Sequence, residues 1–187
     1  MYLFFDCDVA GKPRDWKAEA DNVFNWPRLI KLAYLLYNDK GELIIDEHVL
    51  IKPNGFLLEN EEEQKEAMEK GIPVKEVLDK FIEAIDQAKH VIVHNFGLDG
   101  KVVGAEMHRA NMPNKLAMSD WYSLMIESTH FCKLPGKFGR YKWPSQAELF
   151  RVIFKSKYEN AGNAKEDVKA TALCFFKLLQ ANAIELN

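Results

Sequence analysis

Little in this chain of 187 residues offers a handle for covalent cross-linking, membrane insertion or bulk attraction to polyanions. Cysteine is scarce. Cys7, Cys132 and Cys174 are odd in number, and no two stand in a C-x-x-C pair. That argues against a disulfide framework or a zinc cluster and for a reducing, cytoplasmic compartment. No stretch approaches the roughly 18 uninterrupted apolar residues of a membrane span, so no membrane partner is expected. The apolar start, Met1 to Phe5, is too short for a signal peptide and lacks its basic lead. Positive charge is not in excess either. The net charge is −3 and the isoelectric point about 6.0, so a hold on nucleic acid needs a local patch or metal ions. Repeats, low-complexity tracts and linkers are missing too. The length suits a single domain over residues 1–187.

What is there is an alternation of strand-like and helix-like segments. Tyr2 to Phe5 reads as a buried strand ending at Asp6. Leu29–Tyr37 and Glu42–Ile51 read as a hairpin about the turn Asn38-Asp39-Lys40-Gly41. Val74, Val77, Leu78, Phe81, Ile82 and Ile85 recur at helical spacing and predict a helix to about Ala88. His90–His94 reads as a strand, and Leu98–Ala110 as the helix after it. The charge-dense stretch Glu59 to Lys70 reads as a solvated helix face or a loop. Capping boxes are expected at Ser145–Glu148 and Asn163–Glu166. This order predicts an α/β domain with a mixed central sheet covered by helices.

Carboxylates mark the candidate site. Asp6 and Asp8 stand two apart, so on a strand they project from one face. Two carboxylates that close repel unless a cation lies between them, and oxygen-rich sites of this kind suit Mg²⁺ or Mn²⁺. Asp99 and Asp167 each fall in the first turn of a helix. Anionic end charges are favoured there in any helix, so neither points to chemistry alone. Trp121, Tyr122 and Phe131 read as core residues, with base stacking as the alternative. Lys133, Lys137, Arg140 and Lys142 read equally as a phosphate-facing loop or a solvated turn.

The pieces Phe5-Asp6-x-Asp8, His94-Asn95-x-x-Leu98-Asp99 and Asn163-Ala164-x-x-Asp167 occur in the order of the three exonuclease motifs of the DnaQ-like, DEDD-type family. This is the family of the proofreading epsilon subunit of bacterial DNA polymerase III. The chain also resembles bacterial members at Asn25–Ile30, Phe131–Gly136, Tyr141–Pro144 and Val168–Phe175. The resemblance implies an RNase H-like fold, with helices on both faces of the sheet, and 3′-to-5′ hydrolysis of nucleic acid ends with two Mg²⁺ or Mn²⁺ ions. It implies Asp6, Asp8, Asp99 and Asp167 as catalytic residues, with Asp6, Asp8 and Asp167 on metal. It also implies nucleic-acid contacts from Cys7, Val9, His94, Asn95 and Leu98, and single-stranded 3′ ends as partner.

Three departures stand out. Asp8 occupies the place of a glutamate and is one methylene shorter. The family's His subclass has histidine five residues before the last aspartate, where this chain has Gly162. Asn163 stands where the Tyr subclass has tyrosine, so neither usual general base is present. A His-Gly-Ile element expected before the Val74 helix is replaced by Glu59-Asn60-Glu61-Glu62-Glu63. Strongly reduced activity follows as an expectation, with a non-catalytic nucleic-acid-binding or protein-interaction module as the alternative.

Overall fold

A computed structural model describes residues 1–159 and 161–186. Strand β1 (Tyr2–Ala10) is the centre of a five-stranded sheet of order β3-β2-β1-β4-β5. Strands β2 (Arg28–Tyr37) and β3 (Leu43–Leu50) continue it antiparallel on one side. Strands β4 (His90–Val93) and β5 (Trp121–Ser123) lie parallel on the other. The sheet is mixed, as expected.

Alternation along β1 divides the core into two layers. Leu3 and Phe5 face helices α2 (Val74–Gln87) and α3 (Asp99–Arg109), where Leu78, Phe81, Val102 and Val103 close the layer. Phe4 faces helices α6 (Gln146–Phe154) and α7 (Ala164–Gln180), which supply Leu149, Val168, Phe175 and Leu178. Phe4, Phe5, Phe81 and Phe175 are wholly buried, each contributing roughly 1.5–3 kcal/mol. Edge-on ring contacts tie them, Phe5 to Phe81 at 5.4 Å and Phe4 to Phe175 at 5.2 Å. Helices therefore cover both faces.

Three details differ from the sequence reading, and one open alternative resolves. β1 does not stop at Asp6. It runs on to Ala10 because β2 pairs along it as far as Arg28, with a bulge between Asp8 and Val9. The stretch after Glu59 takes the helical one of its two readings, as α1 (Glu61–Lys70), capped by the Asn60 side chain accepting from Glu62 N and Glu63 N. β5 was not foreseen, and neither were the short helices α4 (Leu124–Glu127) and α5 (Thr129–Cys132) beyond it. Of the three aromatics assigned to the core, only Tyr122 is buried. Trp121 and Phe131 are each 41% exposed. The Ser145 capping box is closed. Asn163 caps α7 from its side chain to Lys165 N, while Glu166 pairs with Lys169.

Candidate active site

The sheet topology brings the four aspartates together. Asp6 and Asp8 lie on the face of β1 turned toward α7. Asp99 opens α3 directly after β4, β1's parallel neighbour, and Asp167 lies in the first turn of α7. Two helix N-termini thus converge on the carboxyl-terminal part of the central strand, and their dipoles favour negative charge there. The grouping is electrostatically costly. Burial holds the Asp6 carboxyl well above its ordinary range, and Asp99, Asp167 and Asp8 all push the same way. Burial pushes Asp99 up to about 7, with Asp167 adding to it. The Cys7 thiol and backbone N–H groups act in the opposite direction.

Each carboxylate except Asp6 has its own hydrogen bonds. Asp99 Oδ1 accepts from Cys7 Sγ at 3.3 Å. Asp8 Oδ1 accepts from the Ala164 N–H at 3.2 Å, and its Oδ2 lies 3.1 Å from Lys31 Nζ. Lys31 is the residue directly opposite Asp8 on β2. Asp167 Oδ1 accepts from the Tyr158 hydroxyl at 2.7 Å and Oδ2 from the Gly162 N–H at 2.9 Å. Asp6 accepts no hydrogen bond from a described residue.

Tyr158 and Lys31 were missed by sequence reasoning. Tyr158 is nine residues before Asp167, outside either subclass spacing. Lys31 carried a signal, as the lone charge between Leu29 and Tyr37 in an otherwise apolar strand. Gly162 adopts φ +92°, and nothing lies within 4 Å of where a side chain would begin. The departure is one of backbone as well as residue, because histidine rarely adopts that conformation.

The expected nucleic-acid contacts divide. Val9 lines a cavity of about 570 Å³ between the end of β1 and residues 57–60, together with Lys12, Glu59 and Glu63. Asn95 lines a second cavity, of about 760 Å³, on the β4–β5 side. Cys7 and His94 are buried, so their side chains do not reach a strand in this conformation. Leu98 packs partly buried against the core. Neither ring nitrogen of His94 has a hydrogen bond of sound geometry among the described residues. Burial lowers its pKa to about 4, with the Pro144 backbone acting in the opposite direction.

The donor chemistry fits a hard divalent cation: several carboxylates repel one another, and the Asp6 carboxylate has no hydrogen-bond or ion-pair partner among the described residues. The arrangement is not a ready-made site. Among the described residues no three His, Cys, Asp or Glu side chains are grouped as ligands, and Asp8 and Asp167 are turned to Lys31 and Tyr158.

Sheet order and the two helical layers define an RNase H-like fold. Solved structures share it. The nuclease domain of 3′hExo, a DEDDh family member bound to rAMP, superposes with a TM-score of 0.73 at 12% identity, over 100% of this chain and 95% of that one. E. coli Exonuclease I in complex with a dA16 oligonucleotide gives 0.67 at 14% identity over 96% of this chain. Cell-death related nuclease 4 gives 0.68 at 12%, over 96% of this chain and 64% of its own. The chain spans only 40% of the E. coli Exonuclease I chain. No family model matches the sequence, and no curated protein matches it.

Proposed function

We propose that this chain binds nucleic-acid 3′ ends at the Asp6, Asp8, Asp99 and Asp167 cluster and hydrolyses the terminal phosphodiester slowly, as a 3′-to-5′ exonuclease-type domain with an altered site. The observation that carries the proposal is the convergence itself. Segments up to about 160 residues apart deliver four carboxylates to one end of β1, where three of them oppose the charge on the fourth. Such crowding costs folding free energy, and perturbed carboxylates in a cleft are typical of functional sites. Mg²⁺ or Mn²⁺ held by Asp6, Asp8 and Asp167 would supply an activated water and neutralise charge on the phosphoryl oxygens.

The chain's own groups set the expected rate. Tyr158 O–H and Gly162 N–H fix the Asp167 carboxylate. Burial and the Asp167 charge push the Tyr158 phenol upward, so it donates a proton and is no base at neutral pH. Loss of a general base costs about 10²- to 10⁴-fold. Incubation of 5′-labelled single strands with Mg²⁺ or Mn²⁺ tests the proposal. Slow stepwise shortening is expected from the wild type and none from Asp6→Ala. Identical traces end this reading.

A second reading, a binding module without catalysis, is favoured by Lys31 on Asp8 and by Glu59 and Glu63 lining the cavity next to β1. Retained oligonucleotide binding with no shortening in either metal selects it. The three free, buried cysteines are consistent with a cytoplasmic location. No helix among the described residues is long and apolar enough to cross a membrane.

A further inference from the structure

Of the four tryptophans in the chain, one, Trp26, is buried. The other three come from separate segments and line the same cavity. Trp16 and Trp143 are each 60% exposed and Trp121 41%, and all three face the 760 Å³ space bounded by Asn95, Phe96, Gly97, Ser123 and Met125. Large exposed apolar patches on a soluble domain mark binding sites. The volume lies within the range of ligand pockets.

The cavity has a built floor. Phe96 and Trp121 lie face to face, with centroids 3.8 Å apart and planes 6° from parallel. Phe96 lies flat because residue 100 is glycine, where a Cβ would come 2.6 Å from the ring. The pile therefore runs from the α3 backbone through Phe96 to Trp121, and the outermost ring is the exposed one. A further flat ring laid on Trp121 would extend the pile. Asn95 adds an amide that makes no hydrogen bond to a described residue, so it has both donors and acceptors to offer a ring edge.

Charge distinguishes among flat ligands. The segment that ends at Trp143 carries Lys133, Lys137 and Arg140, all exposed and without an ion pair among the described residues. Only Lys142 is neutralised, by Glu148 at 2.5 Å. Phe138, 96% exposed, and Tyr141 interleave with these cations. The cation that lines the cavity, Lys101, is paired with Glu19, so the unpaired cations are those of the segment leading to Trp143, and such cations among exposed rings suit a polyanion that carries bases.

We infer that the Trp16–Trp121–Trp143 cavity is a base-stacking site for single-stranded nucleic acid, with residues 133–142 holding its phosphates. It lies on the β4–β5 side of the aspartates, away from the cavity beside β1 and β2. The inference deepens the exonuclease reading, because the loop bearing Asn95 and Phe96 also leads to Asp99.

The test is tryptophan fluorescence in EDTA, where no metal-dependent cleavage interferes. The titrant is an oligothymidylate of about 12 nucleotides, within the span of such grooves. Comparators are an abasic phosphodiester of equal length and a Phe- and Pro-rich peptide. Saturable quenching by the oligothymidylate is expected. Trp16→Leu and Trp143→Leu, both at exposed positions, should weaken it roughly five- to 100-fold without changing the melting curve. Equal binding of the abasic strand, unchanged affinity in both variants, or uptake of the peptide alone overturns the inference. Base-dependent binding without trimming leaves it standing and defeats the exonuclease reading. Trimming with base-independent binding does the reverse.

Discussion

Asp99 sits where its own charge is opposed, and this makes stability depend on pH in a defined direction. Its carboxyl titrates at about 7 in the folded chain against an ordinary 3.8. Between those values the folded state holds a proton that the unfolded state releases, so stability falls as pH rises through the window. Asp6 is shifted the same way. His94 acts oppositely. Its folded value of about 4 lies below the ordinary 6.5, so its contribution is lost as pH falls between them. The two effects oppose each other in mild acid, and Asp99 acts without His94 near neutrality. Asp99→Asn is therefore expected to melt higher than the wild type at pH 8 in EDTA and to lose part of the decline between pH 6 and 8. Parallel melting profiles would contradict the assigned environment. Glu106 makes a different demand. It is 1% exposed, and its Oε1 accepts from Arg28 Nε at 2.8 Å, Arg109 Nη1 at 2.8 Å and Leu29 N at 3.1 Å. Glu106→Ala leaves the Leu29 N–H without its side-chain acceptor and removes the carboxylate from Arg28 and Arg109, which keep only backbone carbonyls of residues 54, 23, 26 and 27, at a cost of about 1–3 kcal/mol, measurable by urea denaturation. Neither network was legible in the sequence. Glu106 pairs with Arg28 across some 80 positions, and Tyr158 meets Asp167 from outside any regular element. Asp99 and Asp167 were legible because each lies in the first turn of a helix whose pattern is clear, and Asp6 and Asp8 because they interrupt an apolar strand at a spacing of two.

The turn into α7 is the element that departs furthest from the exonuclease pattern. Where a histidine is expected, Gly162 stands at φ +92° and donates its N–H to Asp167. A histidine there must adopt a strained left-handed backbone, costing roughly 1–3 kcal/mol, or rebuild the turn and lose that hydrogen bond. Gly162→His combined with Asp8→Glu is thus expected to lower the melting temperature and to raise trimming by less than the 10²- to 10⁴-fold of a well-placed base. A full gain without destabilisation would show that the turn carries no such constraint. The helices α2 and α7 were readable because Val77, Leu78, Phe81 and Ile85, or Val168, Phe175 and Leu178, repeat at helical spacing over several turns. β5 was not readable. It has three residues, Trp121–Ser123, too few for an alternation to register, and its pairing with β4 supplies what the local pattern lacks. The extent of β1 was hidden for a related reason. Asp6 and Asp8 look like a strand's end, yet pairing with β2 carries the strand four residues further.

Over the whole molecule, the site is placed by the fold but does not hold it together. The two aromatic layers close on opposite faces of the sheet, while the aspartates collect where the starts of α3 and α7 meet the end of β1. Repulsion among those aspartates is a standing cost that a divalent cation would remove, so metal binding and folding are linked. A ligand at a hundred times its dissociation constant adds about 2.7 kcal/mol, which for a chain of this size is a rise of roughly 5–10 °C. Mn²⁺ titrated at pH 8 is expected to raise the melting temperature by that order. The rise should shrink at pH 5, where Asp99, titrating at about 7, retains its proton and competes with the ion, and disappear in Asp6→Ala. Lys31→Met should enlarge it, because Asp8 then lacks its lysine partner at 3.1 Å. No shift in the wild type at pH 8, or an equal shift in Asp6→Ala, would mean that the cluster serves as a fixed acidic patch and that the slow-nuclease reading fails with it.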